Sequence, residues 1–413
     1  MKYIFWGSFY ADTLLGDIKK FSLGPIGNAN DLLQKNIIYG LAKKNKDVLL
    51  VTVPNVGSYP NRYKKWYVSK SIEYLSIGCN KVYCKSLSFI NLPGVKHFFR
   101  FASILFFFIF NGFFKKKNLV LFVYDFEIEF LFASSILKKI NRNLHICLIA
   151  PDLPGYTSER KSFLYNLYNA FVSKVLHFLN EDIDSYAFIS EHMVNKIEVK
   201  DRPYVVIEGI YNIETSKILS SKEVPKEHVC KVVFYSGSLD ERNGIVNLVN
   251  AFKLITRDDY RLYIVGDGPL RDFVLKSQLE DVRIEYFGQI GHAETVLLQA
   301  QADILINPRL PLEEFTRYSF PSKTMEYLAS GIPTLMYKLP GVPEEYFDYC
   351  IIIHGYSLSE LAKTIEDTIE TDYKFAKEKA LSAVNFILSK KNPMSQCQKL
   401  IDMVEGKIQA GFK

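Results

Sequence analysis

The sequence predicts an α/β protein of two Rossmann-like domains, each a mainly parallel sheet flanked by helices. Three observations lead there. Short apolar runs alternate with helix-periodic segments, the pattern of βαβ units and hence of parallel strands. That alternation stops at a polar stretch, Asn212–His228, and then starts afresh. And 413 residues are too many for one ordinary core, since domains typically hold roughly 100–200 residues. The predicted division is 1–208 and 230–388, with a linker at 209–229 and a C-terminal helical segment at 389–413.

Composition narrows the function classes. Apolar residues make up 48%, which supports a sizeable core and argues against global disorder. Aromatics reach 14%, an excess whose destination is core, membrane surface or ligand platform. A net charge of +6 suits an anionic substrate or membrane surface, but no nucleic-acid-binding signature accompanies it. The six cysteines include no CxxC pair and are expected as buried free thiols in a reducing cytosol. The seven histidines show no metal-binding spacing, so no metal site is expected. Met1–Gly7 reads as a strand rather than a signal peptide, and the expected location is cytoplasmic.

In chain order, residues 3–7 form the first strand. Leu23–Asn30 is a glycine-containing loop leading to a helix that ends near Lys44. Gly24 and Gly27 at its mouth allow backbone to approach a ligand or simply make a turn; the pattern is not GxGxxG. Asp47–Pro54 is the second strand. Residues 56–92 read as irregular, with one or two short strands. His97–Phe114 is a Phe-rich helix, shorter than the ~20 apolar residues a membrane span needs. Two readings are open for it: burial against the sheet, or partial exposure to lipid head groups. Strands follow at Leu119–Tyr124 and Leu144–Ala150. Asp152 lies just past the second, at the strand end where open α/β sheets bind ligands; a turn or capping role is its bland alternative. Arg160–Leu179 is a helix whose extra aromatics and lysines suit either a membrane surface or a core.

The second half opens with Lys231–Ser236, a glycine-containing loop carrying Gly237 and Arg242, and a helix at Ile245–Ile255, a strand–loop–helix anion cradle. Further strands are expected at 260–265, 282–287, 303–309 and 333–337. Between the last two runs Arg317–Pro333. Pro321 suits a first helical turn and Ser322 an N-cap, while Gly331 and Pro333 are stop signals. Lys323 at that N-terminus points to phosphate, and Glu326 one turn on can accept from sugar hydroxyls. A solvated Lys–Glu pair on an ordinary helix is the plain alternative.

Taken together, Gly237-Ser-Leu-x-x-x-Asn-Gly244, Gly266-Asp-Gly-Pro269, Phe287-Gly288, Asp303-x-Leu-x-Asn-Pro-Arg309 and Ser319–Gly331 resemble the nucleotide-sugar domain of retaining GT-B glycosyltransferases, the family 4-like group. Each motif is weak alone; their order and spacing are specific. The first half is similar more loosely, through its glycine-containing loop and Pro151-Asp152-Leu-Pro154, and looks most like the bacterial surface polysaccharide branch.

The resemblance implies two domains facing a cleft and a C-terminal helix that crosses back to the first. It implies sugar transfer from a nucleotide diphosphate donor, with retained configuration and no cofactor or metal. The acceptor is expected to be lipid-linked or a glycan, which adds a peripheral membrane surface at the inner face of the plasma membrane. Asp152, Arg242 and Lys323 are the candidate catalytic residues, Asp152 as a contact to acceptor or transferred sugar rather than a nucleophile. Candidate donor contacts are Gly27 and Asn28 in the first domain, and Gly237, Ser238, Gly266, Gly288, Gln289, Arg309, Tyr318, Ser322 and Glu326 in the second. The chain departs from the family at Tyr318, where a second Glu is common, and at Ser238 and Asn243, where basic residues are common. A nucleotide-sugar 2-epimerase of the same fold, or a non-catalytic partner of a glycosyltransferase, are the alternative functions.

Overall fold

A computed structural model of the chain describes residues 1–24, 26–44, 47–78, 80–113, 118–154, 163–216 and 230–406. They form two α/β units, Met1–Ile210 with Pro393–Lys413, and Tyr211–Asn392. The proposed linker residues 217–229, the lysines at 115–117 and the predicted helix start at 160–162 lie outside the described residues.

In the N-terminal unit, β1 (Lys2–Gly7) is followed by α1 (Asp12–Phe21), α2 (Asn28–Lys44) and β2 (Val48–Thr52). Next come β3 (Tyr67–Val68), β4 (Ser71–Ile77), β5 (Asn80–Ser86), β6 (Phe89–Ile90) and α3 (Lys96–Phe110). Then follow β7 (Leu119–Tyr124), α4 (Ile128–Ile140), β8 (Leu144–Ala150), α5 (Phe163–Leu179), β9 (Ser185–Phe188) and β10 (Tyr204–Val206). The main sheet has the order β10-β9-β8-β7-β1-β2-β5-β4. All its pairings are parallel except β4 with β5. Trp6 of β1 stands beside Val51 of β2 and Val123 of β7. The central strands β2 and β7 are buried at every residue, as parallel strands covered on both faces require.

Residues 56–92 are more regular than the sequence reading allowed. β4 and β5 run seven residues each and close one edge of the sheet. β4 alternates half-buried and exposed positions as far as buried Ile77, and both faces mix polar and apolar residues, so it offered no apolar run to detect. Helix α1 also went unread, because only Leu14 and Ile18 are buried along it.

The Phe-rich helix α3 buries one side, as the first of its two readings expects, and exposes the other. Ile104, Phe107 and Phe108 are buried, and Phe108 stacks on Trp6 at 5.1 Å. The opposite side leaves Phe98, Phe106 and Phe110 exposed. Among the described residues no helix is long and apolar enough to cross a membrane.

The C-terminal unit opens with α6 (Ile213–Ser216) and continues through β11 (Lys231–Ser236), α7 (Ile245–Leu254), β12 (Tyr260–Val265), α8 (Arg271–Glu280), β13 (Ile284–Tyr286), α9 (His292–Ala300) and β14 (Ile304–Asn307). It ends with α10 (Ser322–Ala329), β15 (Thr334–Met336), β16 (Ile351–Ile352), α11 (Leu358–Glu370) and α12 (Tyr373–Lys390). Its sheet, β13-β12-β11-β14-β15-β16, is wholly parallel. The strand order reverses direction at β11 and β14, the position where open α/β sheets form a ligand crevice at their carboxyl ends.

The following helix, α13 (Pro393–Val404), packs on α2 in the N-terminal unit. Gly40 of α2 makes this close approach possible, since a Cβ there would lie 2.4 Å from Cys397 Sγ. Cys397 donates to the Ile37 carbonyl at 3.3 Å. Among the described residues, Cys84, Cys147, Cys350 and Cys397 are buried free thiols.

Candidate active site

In the C-terminal unit, the loops after β11, β12, β13 and β14 gather with the N-terminus of α10. Their glycines serve loop-to-loop packing. A Cβ on Gly266, at φ +143°, would sit 1.8 Å from the Gly237 carbonyl oxygen. A Cβ on Gly244, at φ +77°, would sit 2.1 Å from that of Pro308. Gly266 N–H donates to the Gly288 carbonyl at 2.9 Å, linking two of the predicted site glycines through backbone. Gly266 is thus required first by the Gly237 backbone, while a Cβ on Gly237 would meet Tyr235 Oη at 2.9 Å. Gly288 adopts φ +70° in open space, and Gln289 beside it is exposed.

Arg309, just past β14, is the most enclosed cation in this group. It donates from Nη2 to Asn243 Oδ1 and from Nη1 to Ser319 Oγ at 3.4 Å, while its buried Nε has no partner among the described residues. Desolvation lowers its pKa from the ordinary guanidinium value. No ion pair to Arg309 occurs among the described residues. Arg242 sits nearby, with Nε 3.5 Å from Glu313 and its guanidinium 3.8 Å from the Phe315 ring centre. Arg309 lies 5.4 Å from the same ring. Ser238 belongs to this cluster through its carbonyl, which accepts from Tyr235 Oη at 2.8 Å.

Two sequence expectations for α10 need correction. Pro321, not Ser322, occupies the N-cap, and no side chain caps the helix; Ser322 is the first helical residue. Pro321 takes this place because its extended ψ of 109° turns the chain into the helix while its carbonyl accepts from Thr324 N–H at 2.9 Å. Lys323 and Glu326 form an ion pair at 2.6 Å, so a ligand that takes either group must share or break it. Tyr318 is buried and directs its hydroxyl to Glu314 at 3.2 Å. The residue that fixes α10 escaped the sequence reading. Tyr327 Oη accepts from Ser236 N–H at 2.8 Å, tying the helix to the end of β11. Its i, i+4 spacing puts it on the same side of the helix as Lys323, but nothing in the sequence marks it as more than core.

The other predicted residues, Gly27, Asn28 and Asp152, belong to the N-terminal unit. Asn28 begins α2, and the Gly27 carbonyl accepts from Asp31 in its first turn. Asp152 lies beyond β8. Its carboxyl is reachable by solvent, yet protein surrounds most of its other directions; this enclosure, then Asp125, pushes its pKa up to about 7. Asp125 follows β7 at φ +72°, and its own pKa is raised by burial.

A cavity of ≈ 620 Å³ opens in the N-terminal unit, lined in part by Tyr10, Gly27, Asp31, Gly57, Arg62 and Lys96. Of its wall, the sequence reading offered only Gly24 and Gly27 for close approach to a ligand. Lys96 begins α3 and donates to the Val56 carbonyl. One turn on, Arg100 is buried and ion-pairs with Glu127 and Glu129. His97 Nδ1 also lies 3.0 Å from Glu129.

Residues 230–371 match the family described as Glycosyl transferases group 1, so the C-terminal unit carries a domain of that family. The N-acetyl-alpha-D-glucosaminyl L-malate synthase of Bacillus anthracis is 22% identical over 196 residues, covering 45% of this chain. The match spans 48% of that relative, about half its length. Among solved structures, a sucrose-phosphate synthase from Thermosynechococcus elongatus superposes with TM-score 0.64 at 16% identity, covering 98% of this chain and 99% of its own. Anabaena Alr3699/HepE in complex with UDP gives TM-score 0.61 at 15% identity, covering 98% and 100%. The chain has the fold of the GT-B glycosyltransferases.

Proposed function

We propose that the protein is a glycosyltransferase that moves a sugar from a nucleoside diphosphate donor to an acceptor, with retained configuration and without a metal. The observation that carries this is Arg309: an enclosed guanidinium with an unpartnered Nε and no ion pair among the described residues, beside Arg242. A buried cation left in this state is completed by an anion. A diphosphate fits, because it develops charge as a leaving group and the surrounding donors are already in place before reaction. Lys323 and the α10 N-terminus supply further positive character, and Glu326 is suited to hydroxyl groups of the ribose. Asp152 is placed on the acceptor or transferred sugar.

The Anabaena neighbour was solved with UDP, which makes UDP-sugars the first donors to test. The acceptor is proposed to be lipid-linked or a growing surface glycan. In support, α3 presents exposed Phe98, Phe106 and Phe110 as a face for peripheral membrane contact.

Incubation with a panel of nucleotide sugars tests the proposal. Donor-specific hydrolysis or acceptor-dependent release of nucleoside diphosphate is expected. Epimer formation without acceptor, or no turnover of any donor, overturns it.

A further inference from the structure

We propose that the cavity of the N-terminal unit binds an oxyanion carried by the acceptor, a phosphate or a carboxylate, read by Lys96 and Arg62. The inference rests on the transferase reading for the word acceptor, but the anion site itself stands on the cavity. At ≈ 620 Å³ the space suits a small ligand.

Charge in its wall is one-sided. The acid that lines it, Asp31, is already engaged, accepting from Tyr10 N–H at 2.8 Å and pairing with Lys35 at 3.1 Å. Arg62 is exposed and has no ion pair among the described residues. Gly57 lets Arg62 close this side of the wall, since a Cβ there would meet Arg62 Cβ at 2.3 Å. Lys96 is only 7% exposed, and among the described residues the one acceptor its amine meets is the neutral Val56 carbonyl. An ammonium offers three donors, so two remain for a ligand.

The neighbouring ion cluster does not cancel Lys96. Arg100 supplies a second buried cation, and Glu127 and Glu129 face it. Burial raises the Glu127 pKa, against the pull of Arg100. Both carboxyl groups contact Arg100 rather than Lys96. His97 contacts Glu129 from the exposed side. Lys96 is left with a desolvated positive charge that a ligand anion compensates. Neutral donors are also at hand. Asn30 uses its carbonyl for Tyr124 Oη, leaving its amide N–H groups, and the N-terminus of α2 begins beside Gly27.

Isothermal titration of the full chain with inorganic pyrophosphate and with succinate, read against glycerol, tests the site. At least one anion is expected to bind and glycerol is not. Preference for pyrophosphate marks a phosphorylated acceptor, and preference for succinate a carboxylate one. Lys96→Met is expected to weaken binding about tenfold, the size of one charge-assisted hydrogen bond. Arg62→Gln is expected to weaken it about threefold, because its charge is exposed. Arg62 is at the surface, so its variant remains informative if Lys96→Met does not fold. Absence of anion binding overturns the proposal. So does binding that survives both substitutions and disappears in Arg309→Gln, which places the anion in the C-terminal unit. Binding of nucleoside diphosphates is followed separately by thermal shift. If it fails while the Lys96-dependent anion binding persists, the transferase reading falls and the cavity site stands; the reverse result removes the cavity site alone.

Discussion

Arg309 donates from Nη2 to Oδ1 of Asn243, and Asn243 is itself clamped by Asp240, which accepts from its backbone N–H at 2.9 Å and from Nδ2 at 2.8 Å. The amide orientation is therefore set before any ligand arrives, and Arg309 is held with it. Arg309→Gln is expected to weaken nucleoside diphosphate binding at least about tenfold, as loss of a charge-assisted contact to phosphate requires. Asn243→Ala, which only loosens the clamp, is expected to cost less. Titration calorimetry with UDP and other nucleoside diphosphates checks both. Equal affinity in wild type and Arg309→Gln removes Arg309 from the site.

Lys323 and Glu326 are paired at 2.6 Å with side chains about a third and a quarter exposed. Lys323→Ala and Glu326→Ala are each expected to lower turnover at least about tenfold while the far-UV spectrum is unchanged. A plain surface pair of this kind contributes only about 0.3–0.5 kcal/mol of stability, so a structural role predicts near-normal kinetics. Steady-state rates with the best donor separate the two.

Asp152 provides a pH test. Its pKa lies at about 7, raised by burial and by Asp125. A raised carboxyl pKa means that the folded protein holds the proton more tightly than the unfolded chain. Any stability it brings is complete below ~3.9, the unfolded value, and is lost as pH rises through about 7. The rate profile of kcat/KM is expected to bend near pH 7, and Asp152→Asn is expected to abolish that bend. A profile that is the same in both proteins rules out Asp152 as the titrating group.

Tyr327 is a structural test of the same loops. Tyr327→Phe leaves the buried Ser236 N–H without its 2.8 Å acceptor, an expected loss of about 1–3 kcal/mol. Urea unfolding measures it. An unchanged midpoint shows that the hydroxyl does not tie α10 to β11.

Phe106 and Phe110 stack 6.0 Å apart on α3 and are 56% and 82% exposed. If they enter a lipid interface, replacing both by Ser is expected to reduce partition onto anionic vesicles by at least about tenfold, since burying one Phe side chain contributes roughly 1.5–3 kcal/mol. Vesicle co-sedimentation at low salt reads this. Wild type left wholly in the supernatant ends the membrane proposal.

Much of the fold was legible because parallel strands buried on both faces are uninterrupted apolar runs. Leu119–Tyr124 and Leu144–Ala150 have the same limits in sequence and structure. What escaped was one-sided structure. Strand β4 alternates between half-buried and exposed positions with only Ile77 fully buried, and α1 buries two residues, so neither has a run for pattern reading to find. At the candidate site, motif order located the loops of the C-terminal unit. It did not reveal that Gly266 packs on Gly237, or that Tyr327 reaches Ser236, because contacts across loops have no signature in local spacing. Lys96, Arg62 and the Arg100 cluster were missed for a related reason. Their significance comes from burial and from partners as distant in sequence as Val56 and Glu129.

The packing of α13 on α2 sets an order of events during synthesis. Cys397 and Ile37 touch although 360 residues separate them. At roughly 5–20 residues per second, translation needs on the order of 20–70 s to span that interval. Throughout that time the face of α2 around Ile37, Gly40 and Leu41 lacks its natural cover. The nascent N-terminal unit therefore waits at the ribosome as an incomplete body while the C-terminal unit, which is one continuous stretch of chain from Tyr211 to Asn392, can close first. A truncation that ends before Pro393 is accordingly expected to leave a sticky nascent product that calls on chaperones, even though it preserves every strand of both sheets.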